Sequence, residues 1–317
     1  MPSCASGLSV LLRLQVPPGN PSRKTEGHVP WVTPAVRAPH LQHRVFFSAA
    51  AKSKVSFHMY TPEAYGRDKT RRFPVIYWLH GHGGGLRGLP KLVSYFARAM
   101  AAGKMPLVVI VFPNGLAEGM WCDSKDGRTP LERIVVKELV PYVDANFRTI
   151  ASREGRLVEG FSMGGYGAAR LGLKYSDIFG AASILGAGPM QREFTPAKGP
   201  PEKMRARARI LRKVYGGDQE YFQAQSPREL AEQYADEVRG RLRLRVAVGG
   251  RDAMLRPNEA FSKHLKDLKI PHTFLVAPGV GHNPLALFDV LGDETWAFYR
   301  QVFGSLPQPS SEPEPEK

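Results

Sequence analysis

Short apolar runs alternate with segments of helical periodicity along most of the chain. FPVIYWLHG (residues 73–81) and PLVVIVFPNG (residues 106–115) are almost wholly apolar and end at glycine, as strands of a parallel sheet buried on both faces do. Between them, LPKLVSYFARAMAAG (residues 89–103) has the spacing of an amphipathic helix followed by a glycine stop. Strand, helix and strand in this order predict a mostly parallel sheet with helices on both faces.

The same alternation continues toward the carboxyl end. Four more runs are predicted as strands: RLVEG, FGAASILGAG, LRLRVAVGG and HTFLVAPG. VSFHMYTP (residues 55–62) alternates between apolar and polar positions, which predicts an edge strand. Helices are predicted at Asn258–Leu268 and Leu285–Phe303. A further helix is predicted to open at the capping-box sequence Thr129–Glu132 and to kink at Pro141.

Three segments stand outside this alternation. Residues 1–43 are rich in proline and lack periodicity, so we interpret them as an irregular leader. Residues 305–317 form a low-complexity tail that we expect to be disordered, because it cannot bury enough apolar surface to offset its ordering entropy. Residues 191–240 are basic and helix-forming but too short for an independent core, so we interpret them as an insertion over the carboxyl edge of the sheet. One domain is therefore predicted over residues 44–304.

The composition of the leader leaves two alternatives open. It is basic and poor in acidic residues, which fits either a targeting segment or an upstream extension with no fold of its own. SGLSVLLRLQV is not a convincing signal peptide, because Arg13 interrupts its apolar stretch and no basic residues precede it. Both a cytoplasmic and a secreted location therefore stay open.

The overall composition narrows the class of protein. Of 317 residues, 43% are hydrophobic and 10% aromatic, which is typical of a soluble globular protein with a sizeable core. No apolar run reaches the roughly 20 residues that span a bilayer, so we expect no membrane span. The formal net charge is +15, but the basic residues are spread out and no nucleic-acid motif is present, so we expect no nucleic-acid partner. Cys4 and Cys122 are not expected to form a structural disulfide, and no cysteine–histidine cluster has the spacing of a zinc site.

One serine lies where a strand prediction meets a helix prediction. Gly160-Phe161-Ser162-Met163-Gly164 is a G-x-S-x-G sequence, and such a turn presents a serine hydroxyl above the sheet while the small flanking residues let strand and helix pack closely. The Met163 N–H at the start of the helix would face developing negative charge. We interpret Ser162 as a nucleophile; the alternative is a structural glycine-rich bend.

A serine nucleophile needs a base and an acid that orients it. Asp252 follows the run LRLRVAVGG and His282 follows the run HTFLVAPG, so both leave the carboxyl edge of the predicted sheet. We predict His282 as the general base and Asp252 as the acid that holds its tautomer. Asp218, in YGGDQE, is the second candidate for the acid.

The remaining site predictions concern the loops around that edge. LHGHGGG suits a second oxyanion donor because backbone N–H groups can approach a substrate only where side chains are small, and we favour the N–H groups of His82 or Gly83 beside that of Met163. Trp121 and Phe161 are the predicted substrate contacts. Trp121 could stack on a sugar or an aromatic acyl group, but an aromatic residue in a loop is as often there for packing. The basic segment Lys203–Lys213 is interpreted as a solvated helix face rather than an anion site.

Glu159 is unusual because it lies inside the strand that precedes the serine. A carboxylate in a central strand must be paired, hydrogen-bonded or neutralised. We therefore expect a structural pairing beneath the turn, with an arginine or a backbone donor, rather than a fourth catalytic group.

With these residues placed, the chain resembles the esterase family of α/β-hydrolases that includes tributyrin esterases, feruloyl esterases, S-formylglutathione hydrolases and mycolyltransferases. The similarity runs from Phe46 to about Phe303 and rests on YTPEAYGRDKTRRFPVIYWLHGHGGG, MWCDSKDG, ELVPYVDANFRT, EGFSMGGYGAARLGLKYSDIFGAAS, VGGRDAM and PGVGH. In that family the catalytic serine, acid and histidine fall on Ser162, Asp252 and His282.

The resemblance implies an α/β-hydrolase fold and a serine carboxylesterase that needs neither cofactor nor metal. The substrate implied is a small-molecule or carbohydrate-linked ester, with acetyl and feruloyl esters preferred. Two alternatives stay open: an acyltransferase that uses an alcohol acceptor at the same site, and an inactive scaffold used for binding. Oligomeric state cannot be read from the sequence.

Overall fold

A computed structural model describes residues 29–194, 200–304 and 306 of the chain. Within them, eight strands form one sheet in the order β1-β2-β4-β3-β5-β6-β7-β8. The strands are β1 Leu41–Ser48, β2 Ser53–Tyr60, β3 Val75–Leu79, β4 Val109–Pro113, β5 Arg156–Phe161, β6 Ala181–Leu185, β7 Arg243–Gly249 and β8 Thr273–Ala277. β1 and β2 pair antiparallel, β2 is antiparallel to β4, and all the other pairs are parallel. The mostly parallel sheet is therefore present.

The helices follow the strands in the predicted alternation. They are α1 Glu63–Arg67, α2 Leu89–Ala101, α3 Leu131–Arg133, α4 Val140–Asn146, α5 Met163–Lys174, α6 Pro201–Tyr215, α7 Gln219–Ala224, α8 Pro227–Gln233, α9 Ala235–Val238, α10 Leu255–Asp267, α11 Pro284–Leu291 and α12 Asp293–Phe303. The single helix predicted near the carboxyl end is two helices, because the chain turns at Gly292 with φ of 55°. None of the helices among the described residues combines the length and the apolar character needed to cross a membrane.

The sheet is buried on both faces, which explains its continuously apolar strands. Alternate residues of β3 point to opposite sides. Val75, Tyr77 and Leu79 join a core with α5 and α8, whereas Ile76 and Trp78 join a second core with α2, α11 and α12. All five residues of β3 are buried. The sheet is thus covered on both faces, and its carboxyl edge carries the candidate site.

The amino-terminal boundary differs from the prediction. β1 begins at Leu41, so the predicted boundary between residues 43 and 44 falls inside a strand, and β2 is not the edge strand. The preceding segment also packs on the sheet: Trp31 is buried, and its carbonyl accepts the Ser56 N–H at 2.9 Å. Mixed polar and apolar residues in β1 give weak periodicity, which is why the sequence did not reveal it. Residues 1–28, Cys4 among them, and 307–317 lie outside the described residues.

The predicted capping box is wrong. The helix begins after Pro130 without a side-chain cap, and the Glu132 side chain turns inward to an arginine described below. A π-helical turn at Ile134–Leu139 precedes Pro141, where the ring nitrogen has no hydrogen to donate to the helix. Between β6 and β7, helices α6 to α9 occupy the region predicted as an insertion.

Candidate active site

Ser162 lies on the turn between β5 and α5, in a conformation that non-glycine residues rarely adopt. Its φ and ψ angles are 61° and −119°, and such a conformation is retained only where surrounding contacts impose it. The Ser162 N–H donates to Leu185 O at 2.9 Å, and its carbonyl accepts the Tyr166 N–H at 3.0 Å and the Gly188 N–H at 3.2 Å. The strained turn is therefore held from both the neighbouring strand and the helix.

The flanking glycines are required by close packing. A Cβ at Gly164 would lie 1.8 Å from Leu79 O, and one at Gly160 would lie 2.3 Å from Gly164 O. Both distances are far below contact distance and both involve backbone atoms, so no side chain could move aside. The two glycines thus allow the strand and the helix to pack closely at this turn, as the sequence motif predicts.

Three side chains from three loops meet above the turn. His282 Nε2 lies 2.9 Å from Ser162 Oγ, and His282 Nδ1 lies 2.7 Å from Asp252 Oδ2. Asp252 is buried, and its other oxygen accepts the Met254 N–H at 2.9 Å. The His282 side chain is 41% exposed. The structure thus brings together the three residues predicted as nucleophile, base and acid.

This geometry fixes the direction in which a proton can move. When His282 Nδ1 carries the ring hydrogen and donates it to Asp252 Oδ2, Nε2 of the neutral ring is free to accept from the serine hydroxyl. The second candidate for the acid, Asp218, lies elsewhere: it caps α7 by accepting the Glu220 and Tyr221 N–H groups and pairs with Lys125. Asp218 therefore has a structural task and is wrong as the triad acid.

Of the predicted oxyanion donors, two have N–H groups with no hydrogen-bond partner among the described residues. Met163 is the first residue of α5, so its N–H points out of the helix. Gly81 passes close to Ser162, because a Cβ there would lie 3.3 Å from Ser162 Cβ, and His82 follows it. Within the described part of the chain, the His82 N–H has no hydrogen-bond partner, whereas the Gly83 N–H donates to Ala117 O at 2.8 Å. Gly83 is therefore wrong as a donor, and His82 remains.

The two predicted substrate contacts have different positions. Trp121 has no exposed surface and packs on Gly115 and Gly167, while its indole N–H donates to His80 O at 3.1 Å. A stacking residue needs a free face, so the prediction for Trp121 is wrong and its role is packing beneath the glycine loop. Phe161 is half-buried, with its ring centroid 4.4 Å from that of His282.

Glu159 is paired beneath the turn that carries Ser162, as expected. Its carboxylate accepts from Arg245 Nη2, Ser183 Oγ and Tyr299 Oη, each at 2.9 Å. Burial raises the pKa of Glu159, and Arg245 opposes that rise. Arg245 also donates to Thr295 O at 3.0 Å, so this cluster joins β5, β6 and β7 to α12.

A second buried cluster was not foreseen. Arg170 of α5 is fully buried and donates to Trp121 O at 2.7 Å, to Gln225 O at 2.6 Å and to Glu132 Oε2 at 2.8 Å. Burial raises the pKa of Glu132, but Arg170 and Lys174 together lower it to about 2. The one signal in the sequence was a charged residue inside the small and apolar stretch GGYGAARLGL. The cluster joins α5, the helix that follows Ser162, to the loops that contain Trp121 and Gln225.

The basic segment of the insertion forms most of α6. Arg205, Arg212 and Lys213 are exposed, as a solvated helix face would be. Among the described residues, no group of three or more histidine, cysteine, aspartate or glutamate side chains is arranged to hold a metal ion. Cys122 is free and buried, and burial raises its pKa to about 11.

Known proteins share both the sequence pattern and the architecture. A family model described as "Putative esterase" matches residues 48–282. An esterase of Mycobacterium tuberculosis (strain H37Rv) is 34% identical over 160 residues, which cover 49% of this chain and 34% of the relative. The alignment thus spans about a third of the length of that relative.

Solved structures extend the comparison to the fold. A ferulic acid esterase superimposes with a TM-score of 0.69 at 24% identity, covering 83% of this chain and 98% of that one. A fluorophosphonate-binding serine hydrolase of Staphylococcus aureus, FphF, superimposes with a TM-score of 0.63 at 18% identity, covering 82% and 97%. The fold is that of the α/β-hydrolases. Because the family model covers most of the chain, the protein belongs to the esterase family of α/β-hydrolases.

Proposed function

We propose that this chain is a serine carboxylic-ester hydrolase that works through an acyl-enzyme on Ser162. The observation that carries the proposal is the position of His282, which lies within hydrogen-bond distance of both Ser162 Oγ and Asp252 Oδ2. A hydroxyl, an imidazole and a buried carboxylate in this order form the arrangement that activates a serine nucleophile. Membership of the esterase family supports the same reaction class.

Acylation follows from the geometry of these groups. Ser162 Oγ attacks the ester carbonyl carbon while its proton passes to His282 Nε2. The oxyanion that forms accepts hydrogen bonds from the N–H groups of Met163 and His82, and Asp252 stabilises the imidazolium. When the intermediate collapses, the alcohol leaves with the proton from His282, and the acyl group stays on Ser162 as an ester.

Deacylation uses the same groups with water as the nucleophile. Water gives a proton to His282 Nε2 and attacks the acyl carbon, and the same two N–H groups bind the second oxyanion. Collapse returns the proton to Ser162 Oγ and releases the carboxylic acid. The exposed edge of His282 leaves room for that water, or for an alcohol acceptor in its place.

We propose an ester linked to a carbohydrate, with an acetyl or feruloyl acyl group, as the substrate. Support comes from the similarity to a ferulic acid esterase along nearly the whole of that chain. Phe161, half-buried beside His282, offers an apolar surface next to the reacting carbonyl.

The test is hydrolysis of p-nitrophenyl acetate, p-nitrophenyl ferulate and feruloylated or acetylated oligosaccharides by the wild type and by Ser162→Ala. Ser94→Ala, an exposed serine on α2, is the matched control. We expect turnover in the wild type and the control and none above background in Ser162→Ala. Equal rates in all three proteins would refute the assignment of Ser162 as the nucleophile. If the wild type hydrolysed none of the esters, a binding role would be favoured. Adding alcohol acceptors measures the partition between hydrolysis and acyl transfer.

A further inference from the structure

The loop that carries the His82 N–H lacks intrinsic rigidity. Gly83, Gly84 and Gly85 all have positive φ, between 72° and 94°, and most of the loop is exposed. Three consecutive glycines allow many backbone conformations. A donor on such a loop stabilises an oxyanion only if other contacts hold it in place before the reaction begins.

His80 fixes the orientation of the peptide that bears this donor. Burial lowers the pKa of His80 to about 4, so the ring is neutral at neutral pH. Its Nε2 accepts the Gly115 N–H at 3.0 Å, which leaves the hydrogen on Nδ1 to donate to Gly81 O at 2.8 Å. Gly81 O and the His82 N–H belong to one planar peptide group, so holding the carbonyl also sets the direction of the N–H.

The loop that follows β4 provides two further attachments. Ala117 O accepts the Gly83 N–H at 2.8 Å, and Glu118 Oε1 lies 3.2 Å from His82 Nε2. The position of the candidate donor therefore depends on where residues 117 and 118 are held.

Glu118 is in turn held by the insertion. Arg209, on α6, binds its carboxylate with two nitrogens: Nε donates to Oε2 at 2.9 Å, and Nη2 donates to Oε1. Hydrogen bonding by Arg209 lowers the pKa of Glu118, although burial opposes the effect. A bidentate arginine–carboxylate pair restricts both partners in direction as well as in distance.

We propose that Glu118 is a positioning residue for ester hydrolysis and that its pair with Arg209 couples docking of helix α6 to placement of the His82 oxyanion donor. The inference rests on the proposed function. It gives the insertion a task beyond covering the sheet edge: α6 acts on the reaction through Glu118, without touching the substrate.

The experiment compares kcat and KM for p-nitrophenyl acetate among Glu118→Gln, Arg209→Gln, Arg209→Glu and the exchange variant Glu118→Arg/Arg209→Glu. Removal of an oxyanion donor costs about 10²–10³-fold in kcat, so its displacement should cost roughly tenfold or more in Arg209→Glu. KM should change by less than about threefold, since the contact acts mainly in the transition state. The exchange variant restores the ion pair with opposite polarity, so it should recover the part of the lost kcat that comes from docking of α6. The part that comes from the contact between the Glu118 carboxylate and His82 should stay lost.

Arg300→Gln is the matched control, because Arg300 forms an ion pair with Asp293 and is 41% exposed, against 42% for Arg209. It should keep wild-type kcat, and thermal unfolding should show every variant folded at the assay temperature. Wild-type kcat in both Arg209 variants would overturn the inference while leaving the esterase proposal intact. A wild type that hydrolyses no ester would refute the proposed function and this inference with it.

Discussion

Two clusters at the Ser162 turn contain similar residue types, and we propose different purposes for them. Above the turn lie Ser162, His282 and Asp252; within the sheet beneath it lie Ser183, Arg245 and Glu159, with Tyr299. In each, a hydroxyl, a carboxylate and a nitrogen-bearing side chain are joined by hydrogen bonds of 2.7 to 3.0 Å.

The difference between the clusters lies in access and in proton transfer. The His282 side chain is 41% exposed, whereas the Arg245 side chain is 1% exposed. Imidazole gains and loses a proton near neutral pH, while a guanidinium in a protein stays protonated and cannot act as a base. Residue type alone therefore does not separate the proposed catalytic cluster from the structural one. The difference is an exposed side chain that can accept a proton.

The largest effect is expected for a substitution in the cluster above the turn, and it should be a loss of activity without a loss of stability. Asp252→Asn keeps the shape of the acid but favours the wrong tautomer of His282, so we expect kcat to fall by on the order of 10³–10⁴-fold. The thermal midpoint should stay close to that of the wild type, because the amide oxygen can still accept the Met254 N–H. Steady-state kinetics and thermal unfolding measured on the same preparation check this, and a kcat near that of the wild type would contradict it.

A substitution in the cluster beneath the turn should lower the stability of the protein rather than its activity. Arg245→Met leaves Glu159 buried without its cation, which typically costs about 3–5 kcal/mol. Urea unfolding measures the loss, and folded protein should still form the acyl-enzyme. Replacing both partners by apolar residues should cost less than the single change, since no buried charge is left unpaired. If Arg245→Met were as stable as the wild type, the ion pair between Arg245 and Glu159 would not stabilise the fold.

Glu132, the buried partner of Arg170, offers a test through the pH dependence of stability. Its pKa falls from 4.5 to about 2 on folding, which corresponds to about 3 kcal/mol of stability. Because the pKa is lowered, this contribution is complete above pH 4.5 and is lost as the pH falls toward 2. Glu132→Gln should therefore be less stable than the wild type at pH 7, and the difference should narrow on acidification. A difference independent of pH would contradict the assignment.

Glu159→Gln should have the smallest effect on activity. Burial already raises the pKa of Glu159, and an amide oxygen can still accept from Arg245 and Tyr299. The buried Arg245 guanidinium nevertheless loses its carboxylate partner, so we expect a loss of unfolding free energy of about 3 kcal/mol and a rate of acylation close to that of the wild type. Loss of acyl-enzyme formation in a folded variant would make Glu159 a catalytic group and remove the distinction between the clusters.

The catalytic predictions came from features that are local in the sequence. The nucleophile needs small neighbours on a strand-to-helix turn, and Asp252 and His282 each follow a recognisable strand, so spacing and strand order were enough to nominate them. Glu159 was also recognisable, because a carboxylate inside an apolar run demands a partner.

The errors arose where tertiary contacts decide the outcome. Whether the N–H of His82 or of Gly83 is free depends on Ala117, which lies in a different loop. Trp121 could be placed near the cleft, but its burial depends on Gly115 and Gly167, where missing side chains make room for the indole. β1 lacked a clear period because half of its residues are exposed and its pairing with β2, rather than its own pattern, defines it.

Acylation of Ser162 is the step on which the proposed mechanism depends. The most direct measurement is peptide mass mapping after the enzyme is mixed with p-nitrophenyl acetate and quenched in acid. If Ser162 is acylated, the peptide that contains it should carry an acetyl group in the wild type and in Ser94→Ala, and no acetyl group should be found there in Ser162→Ala. An acetyl group on a different residue that turns over at the rate of catalysis, or wild-type hydrolysis by Ser162→Ala, would contradict it.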